Sequence, residues 1–89
     1  MTLTVDCAAL RTKADFHKKM SNLLHLPNYY GDNLDALHDC LTSLPQQTTL
    51  VLLHTQALID NLGPYGRAAI NAITHAEMEC PERLHIVMQ

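Results

Sequence analysis

No lysine or arginine occurs between Lys19 and Arg67, although Asp32, Asp35, Asp39 and Asp60 all fall inside that interval. The 89-residue chain also lacks tryptophan, has one phenylalanine, and contains only three glycines and four prolines. With 47% hydrophobic and 17% charged residues, that scarcity argues against disorder and for a globular chain. A formal charge of −3 argues against a dedicated nucleic-acid binder, whose affinity would rest on lysine and arginine neutralising phosphates. No basic N-terminal region leads into an apolar segment, and no apolar run approaches membrane-spanning length. A cytoplasmic protein without a membrane segment is therefore expected. Cys7, Cys40 and Cys80 are odd in number and lack C-x-x-C spacing, so reduced thiols are expected. One domain is expected over residues 1–89, because two cores would each be too small.

Three segments have strand character. Leu3, Val5 and Cys7 alternate with Thr4 and Asp6, while TLVLLH (residues 49–54) and LHIVM (residues 84–88) are apolar and rich in β-formers. The nearly continuous apolar character of residues 49–54 suggests a strand covered on both faces. The intervening segments are too long for hairpins and long enough for helical crossovers. The expected fold is α/β, a small three-stranded parallel sheet packed with helices. Thr12 is a candidate cap for a helix whose buried stripe is Phe16, Met20, Leu23 and Leu24, ending before Pro27. A second helix starts after Asp32 or Asn33 and closes between Ser43 and Pro45. Residues 56–62 read as a short helix or turn, and Arg67 to Glu79 carries Ile70, Ile73 and Ala76 at helical spacing.

On the second helix Leu34, Leu37, Leu41 and Leu44 recur at intervals of three and four and belong on the core side. The opposite side presents Asp35, His38, Asp39 and Thr42. Asp35 and Asp39 are one turn apart, a like-charge spacing that destabilises a helix by roughly 0.2–0.5 kcal/mol. Stability gives no reason for the pair. Two readings follow: a solvated acidic face, or a surface that receives a cationic partner whose arginines supply the missing donors. Tyr29 and Tyr30, between Pro27 and Gly31, favour the second, since at least one ring is expected beside Asp35 and Asp39, where tyrosine supplies rigid contact area. Core packing is the alternative for either ring.

The segment LPNYYGDNLDALHDCLT, residues 26–42, resembles the signature of the barstar family, intracellular inhibitors of small secreted guanyl-specific ribonucleases such as barnase. The order strand, helices, strand, helix, strand fits that family across nearly the whole chain. The resemblance implies an immunity protein that protects host RNA in the cytoplasm by plugging a small cationic microbial ribonuclease of the barnase-like class. It further implies that Asp39 takes the place of a substrate phosphate, a substitution that works because carboxylate and phosphate both accept short charge-assisted bonds from arginine. Residues matching Tyr29, Gly31, Asn33, Leu34, Asp35 and Thr42 are implied on the same surface, with Tyr30 beside them. The chain departs from the family pattern in three places. His38 and Leu44 stand where the best-known inhibitor has tryptophans. Ala76 stands where it has a peripheral glutamate, with Glu77 adjacent but rotated about 100 degrees around the helix axis.

Other assignments find less support. His38, Asp39 and Cys40 mix catalytic residue types, but consecutive helical residues do not converge on one point, so no enzyme is expected. The cysteines and histidines show no close metal-site spacing, and neither metal nor cofactor is expected. A nonenzymatic adaptor binding another cationic protein through the same surface is the alternative. Direct nucleic-acid binding is disfavoured because the surface carries the sign of phosphate.

Overall fold

The computed structural model describes residues 1–27 and 30–89. Strand β1 (Thr2–Asp6) leads through a 3-10 turn (Cys7–Ala9) to helices α1 (Lys13–Leu24) and α2 (Leu34–Leu41). Strand β2 (Thr48–Leu53), helices α3 (Thr55–Leu62) and α4 (Pro64–Glu79) and strand β3 (Leu84–Met88) complete the order. The three strands form one parallel sheet in the order β1-β2-β3, with Leu3 opposite Leu50 and Leu50 opposite Ile86. The fold is α/β, as the strand and helix periodicities indicate.

The middle strand departs from the expectation of two covered faces. Thr48, Leu50 and Leu52 are buried, whereas Thr49, Val51 and Leu53 are only half-buried. Their sheet neighbours agree: Thr2, Thr4, Asp6 and His85 on that second face are exposed. The order β1-β2-β3 explains this. Both crossovers advance the sheet in the same direction, and two right-handed crossovers of that kind put their helices on one side. Cys7 is buried but lies in the 3-10 turn rather than in β1, because the Asp6 carboxylate accepts from Ala8 N at 3.0 Å and turns the chain.

The core forms between the covered sheet face and the helices. Phe16 and Met20 from α1, Leu37 and Leu41 from α2, Leu58 from α3 and Ile73 from α4 meet Val5, Leu50, Leu52 and Leu84. Each such aliphatic or aromatic side chain contributes roughly 1.5–3 kcal/mol on burial. Thr12 caps α1 as expected, its hydroxyl accepting from Asp15 N at 3.0 Å. The helix ends at His25, which is left-handed (φ 53°), before Pro27 is reached. Helix α4 passes so close to α3 that a Cβ on Gly66 would lie 2.3 Å from the Leu58 carbonyl oxygen. Only glycine fits that crossing. Among the described residues no helix is long and apolar enough to cross a membrane.

Candidate functional site

The start of α2 is built by two side-chain bonds from one residue. Asn33 Oδ1 accepts from Ala36 N at 2.8 Å, capping the helix, while Asn33 Nδ2 donates to the Gly31 carbonyl at 3.2 Å. Asn33 rather than Asp32 is therefore the cap; Asp32 adopts a left-handed conformation (φ 51°) that turns the chain into the helix. A Cβ on Gly31 would stand 2.8 Å from Asn33 Nδ2, so glycine leaves room for the capping amide.

Helix α2 then separates its two faces. Leu37 and Leu41 are fully buried and Leu34 is half-buried against the core, whereas Asp35 and Asp39 are exposed. The Asp39 side chain is 86% exposed, and its Oδ1 lies 3.8 Å from His38 Nδ1. His38 is three-quarters covered because its other nitrogen, Nε2, stands 3.1 Å from Glu79 Oε2 at the end of α4. Thr42 Oγ1 lies within hydrogen-bond distance of both the Asp39 and His38 carbonyls, donating back to the last turn of the helix. Among the described residues no lysine or arginine pairs with Asp35 or Asp39, in keeping with the long interval without basic residues.

Several proposed surface residues lie elsewhere. Tyr30 is buried; its hydroxyl meets His17 Nδ1 at 2.5 Å, so its ring packs in the core. Burial pushes the Tyr30 hydroxyl well above the usual tyrosine range and holds the His17 ring below the usual histidine value. Leu44 is buried beneath the turn that follows α2, where its carbonyl accepts from Arg83 Nη1 at 2.9 Å. Ala76 is fully buried in the face of α4 that packs on the core. Glu77 turns towards β3, accepting from Ile86 N at 2.7 Å with His85 Nδ1 3.4 Å away. It therefore cannot replace a glutamate at position 76 on the α2 side. Tyr29 lies outside the described residues.

The structure adds two features that periodicity did not mark. Glu79, two residues beyond Glu77, is the α4 carboxylate that reaches α2. A groove of about 330 Å³ opens beside Asp39, lined by Leu24, Leu26, Pro27, Cys40 and Leu44 among others. Burial, reinforced by Asp39, pushes the Cys40 thiol up, the opposite of what an activated nucleophile requires. Among the described residues no group of three or more histidines, cysteines and acids is placed to hold a metal ion.

The arrangement is an exposed two-carboxylate face on a short, firmly capped helix, with a third carboxylate delivered from α4. The family model described as Barstar (barnase inhibitor) matches residues 1–89. A Bacillus subtilis (strain 168) protein titled "Putative ribonuclease inhibitor YrdF" is 35% identical over 74 residues, covering 82% of this chain and 81% of that one.

Proposed function

The chain belongs to the barstar family, and from that membership we propose that it inhibits a small extracellular guanyl-specific ribonuclease of the barnase-like class. The inhibitory surface runs from Gly31 to Thr42 and includes Glu79. Asp39 enters the phosphate site of the ribonuclease among its cationic residues, and Asp35 contacts a second donor or orients the helix. Inhibition is steric and electrostatic, involves no chemistry on the inhibitor, and takes place in the cytoplasm as an immunity function. The whole chain acts as one domain in this reading.

The observation that carries it is the exposed Asp39 carboxylate, projecting from a rigid helix with no lysine or arginine partner among the described residues, in a chain matched end to end by the family. A carboxylate left in that state is available to a guanidinium, and its attraction to a cationic cleft speeds encounter. The like-charged Asp35 one turn away, unfavourable for the helix by itself, is favourable when a cationic cleft covers both.

The test is cleavage of a guanosine-containing RNA by a panel of small guanyl-specific ribonucleases, barnase included, with stoichiometric protein. Inhibition by the wild type that Asp39→Ala abolishes supports both target class and role. Inhibition undiminished by that substitution removes Asp39 from the mechanism. No inhibition of any member turns attention to a cationic partner that is not a ribonuclease.

A further inference from the structure

Between α1 and α2 the described residues offer the core one buried side chain, Tyr30. Its backbone amide donates to the Pro27 carbonyl at 2.9 Å, closing a turn, and Gly31, Asp32 and Asn33 directly after it are exposed. Tyr30 is therefore the point at which this segment leaves the interior and becomes surface. Its hydroxyl meets His17 Nδ1 at 2.5 Å, and His17 Nε2 meets the Tyr65 hydroxyl at 2.6 Å. Hydrogen bonds thus run from the first turn of α4, through a buried ring on α1, to the residue before Gly31.

A hydroxyl donates or accepts, and a neutral imidazole does one at each nitrogen, so the two tyrosines satisfy the ring in either tautomer. Burial, which holds His17 below the usual histidine value, favours that neutral ring. With a partner at each nitrogen the ring is fixed from both ends. Without the Tyr65 hydroxyl it is held from one end only, and Tyr30 is tied to a ring that is free to turn.

We infer that Tyr65 is a positioning residue for the proposed inhibitory surface: through His17 and Tyr30 it fixes where Gly31, Asp32 and Asn33 emerge ahead of α2. The inference rests on the reading of that surface as the one that covers the ribonuclease. Asn33 accepts from Ala36 N and donates to the Gly31 carbonyl, so a shift at Tyr30 passes directly into the start of the helix that carries Asp35 and Asp39. Order already present in the free inhibitor does not have to be supplied on binding; losing it lowers affinity with every α2 carboxylate still in place. Tyr65→Phe isolates the effect, because it removes the hydroxyl and keeps the ring over which Lys13 Nζ sits, 4.4 Å from its centroid.

Dissociation constants are measured for the wild type, Tyr65→Phe, Tyr30→Phe and the double variant, against a ribonuclease that the wild type inhibits and under conditions where unfolding curves show each protein fully folded. Tyr30→Phe is expected to weaken binding about two- to tenfold, the range that matches the net worth of one hydrogen bond. Tyr65→Phe is expected to weaken it by a smaller factor and to add nothing in the double variant. A merely structural Tyr65 lowers stability but leaves the affinity of the folded protein unchanged. Unchanged affinity in either single variant overturns the inference with inhibition intact, as do losses that multiply in the double variant.

Amide hydrogen exchange in the free protein tests the same point without a ribonuclease. In Tyr65→Phe the Tyr30 and Ala36 amides, bonded at the turn and at the cap, are expected to exchange several-fold faster, while the Thr42 amide, bonded to the His38 carbonyl at the other end of α2, keeps its wild-type rate. Unchanged rates at Tyr30 and Ala36 overturn the inference. Failure of the wild type to inhibit any ribonuclease overturns the functional reading instead, while faster exchange confined to Tyr30 and Ala36 still supports the positioning role of Tyr65.

Discussion

His17 and Tyr65, separated by 48 residues in sequence, are joined by a contact of 2.6 Å between His17 Nε2 and the tyrosine hydroxyl. On its other side the same ring meets the Tyr30 hydroxyl at 2.5 Å, so one imidazole ties α1 to α4 and to the loop that precedes α2. A neutral ring suits this position, since one tyrosine donates to its lone pair and the other accepts from its N–H. Desolvation accordingly holds His17 below its ordinary value of 6.5, with Asp32 acting weakly the other way. Lys13, one turn earlier on α1, sits 4.4 Å above the centre of the Tyr65 ring and closes the cluster from outside.

The depressed His17 value has a definite sign. Below about pH 6.5 the unfolded chain takes up a proton there that the native state resists, so stability falls as pH decreases towards the native value. His17→Phe removes that contribution but leaves two tyrosine hydroxyls without their partner, at a cost of about 2 kcal/mol. Urea unfolding should show the variant less stable at pH 7.5, with the gap narrowing by pH 5. Curves that decline in parallel for both proteins would mean that His17 is not the group responsible.

Gly31 and Asn33 act through a single cap. A methyl group at Gly31 collides with Asn33 Nδ2, displacing an amide that binds both the Gly31 carbonyl and Ala36 N. Gly31→Ala and Asn33→Ala are each expected to cost about 1 kcal/mol, the usual worth of an N-cap. Because both lose the same bond, the double variant should cost clearly less than the sum. Simple additivity in denaturant unfolding would show that Gly31 is required for some other reason.

Asp39 illustrates a conflict between folding and binding. Its carboxylate is 86% exposed and one helical turn from Asp35, so Asp39→Ala should leave the protein as stable as the wild type or more stable by roughly 0.2–0.5 kcal/mol. The same substitution should weaken binding about 30-fold or more, in line with about 2–5 kcal/mol for truncating one partner of a buried charge pair. Unfolding and inhibition are measured on the same preparation. Destabilisation beyond about 1 kcal/mol would recast Asp39 as a structural residue.

Local signals in the sequence were sufficient for much of this architecture. Thr12 and Asn33 are caps whose side-chain oxygens act within three residues, and Leu37 and Leu41 repeat at helical spacing, so neither depends on the rest of the chain. LHIVM becomes β3 over the same five residues. What escaped depends on distant partners. The rotation of α4 about its own axis puts Glu79 rather than Glu77 against α2, and it follows from how Ala69, Ile73 and Ala76 seat in the core. Leu44 continues the leucine spacing past the end of its helix, yet its depth comes from a turn pinned by Arg83, 39 residues away. For Tyr30 the sequence leaves core and surface both open, because nothing near it in sequence marks His17 and Tyr65 as its company. The exposed second sheet face escaped for the same reason: strand order decides it, and apolar residues in β2 alone do not.

Asp35 and Asp39, which have no lysine or arginine partner among the described residues, also make a kinetic prediction. If Asp35 and Asp39 attract a cationic cleft through solvent, the association rate constant should depend strongly on salt, because the screening length shrinks from about 10 Å at 0.1 M to about 3 Å at 1 M. Dissociation from the closed interface, where solvent ions are excluded, should change far less. Stopped-flow mixing with an inhibited ribonuclease is expected to show association slowing about tenfold or more between 0.05 and 0.5 M salt, with dissociation nearly constant. Asp35→Asn should flatten the association slope, since one of the two attracting charges is gone. A salt effect residing mainly in dissociation would instead place the electrostatic work in contacts formed after encounter, and the exposed face of α2 would then act by fit more than by attraction.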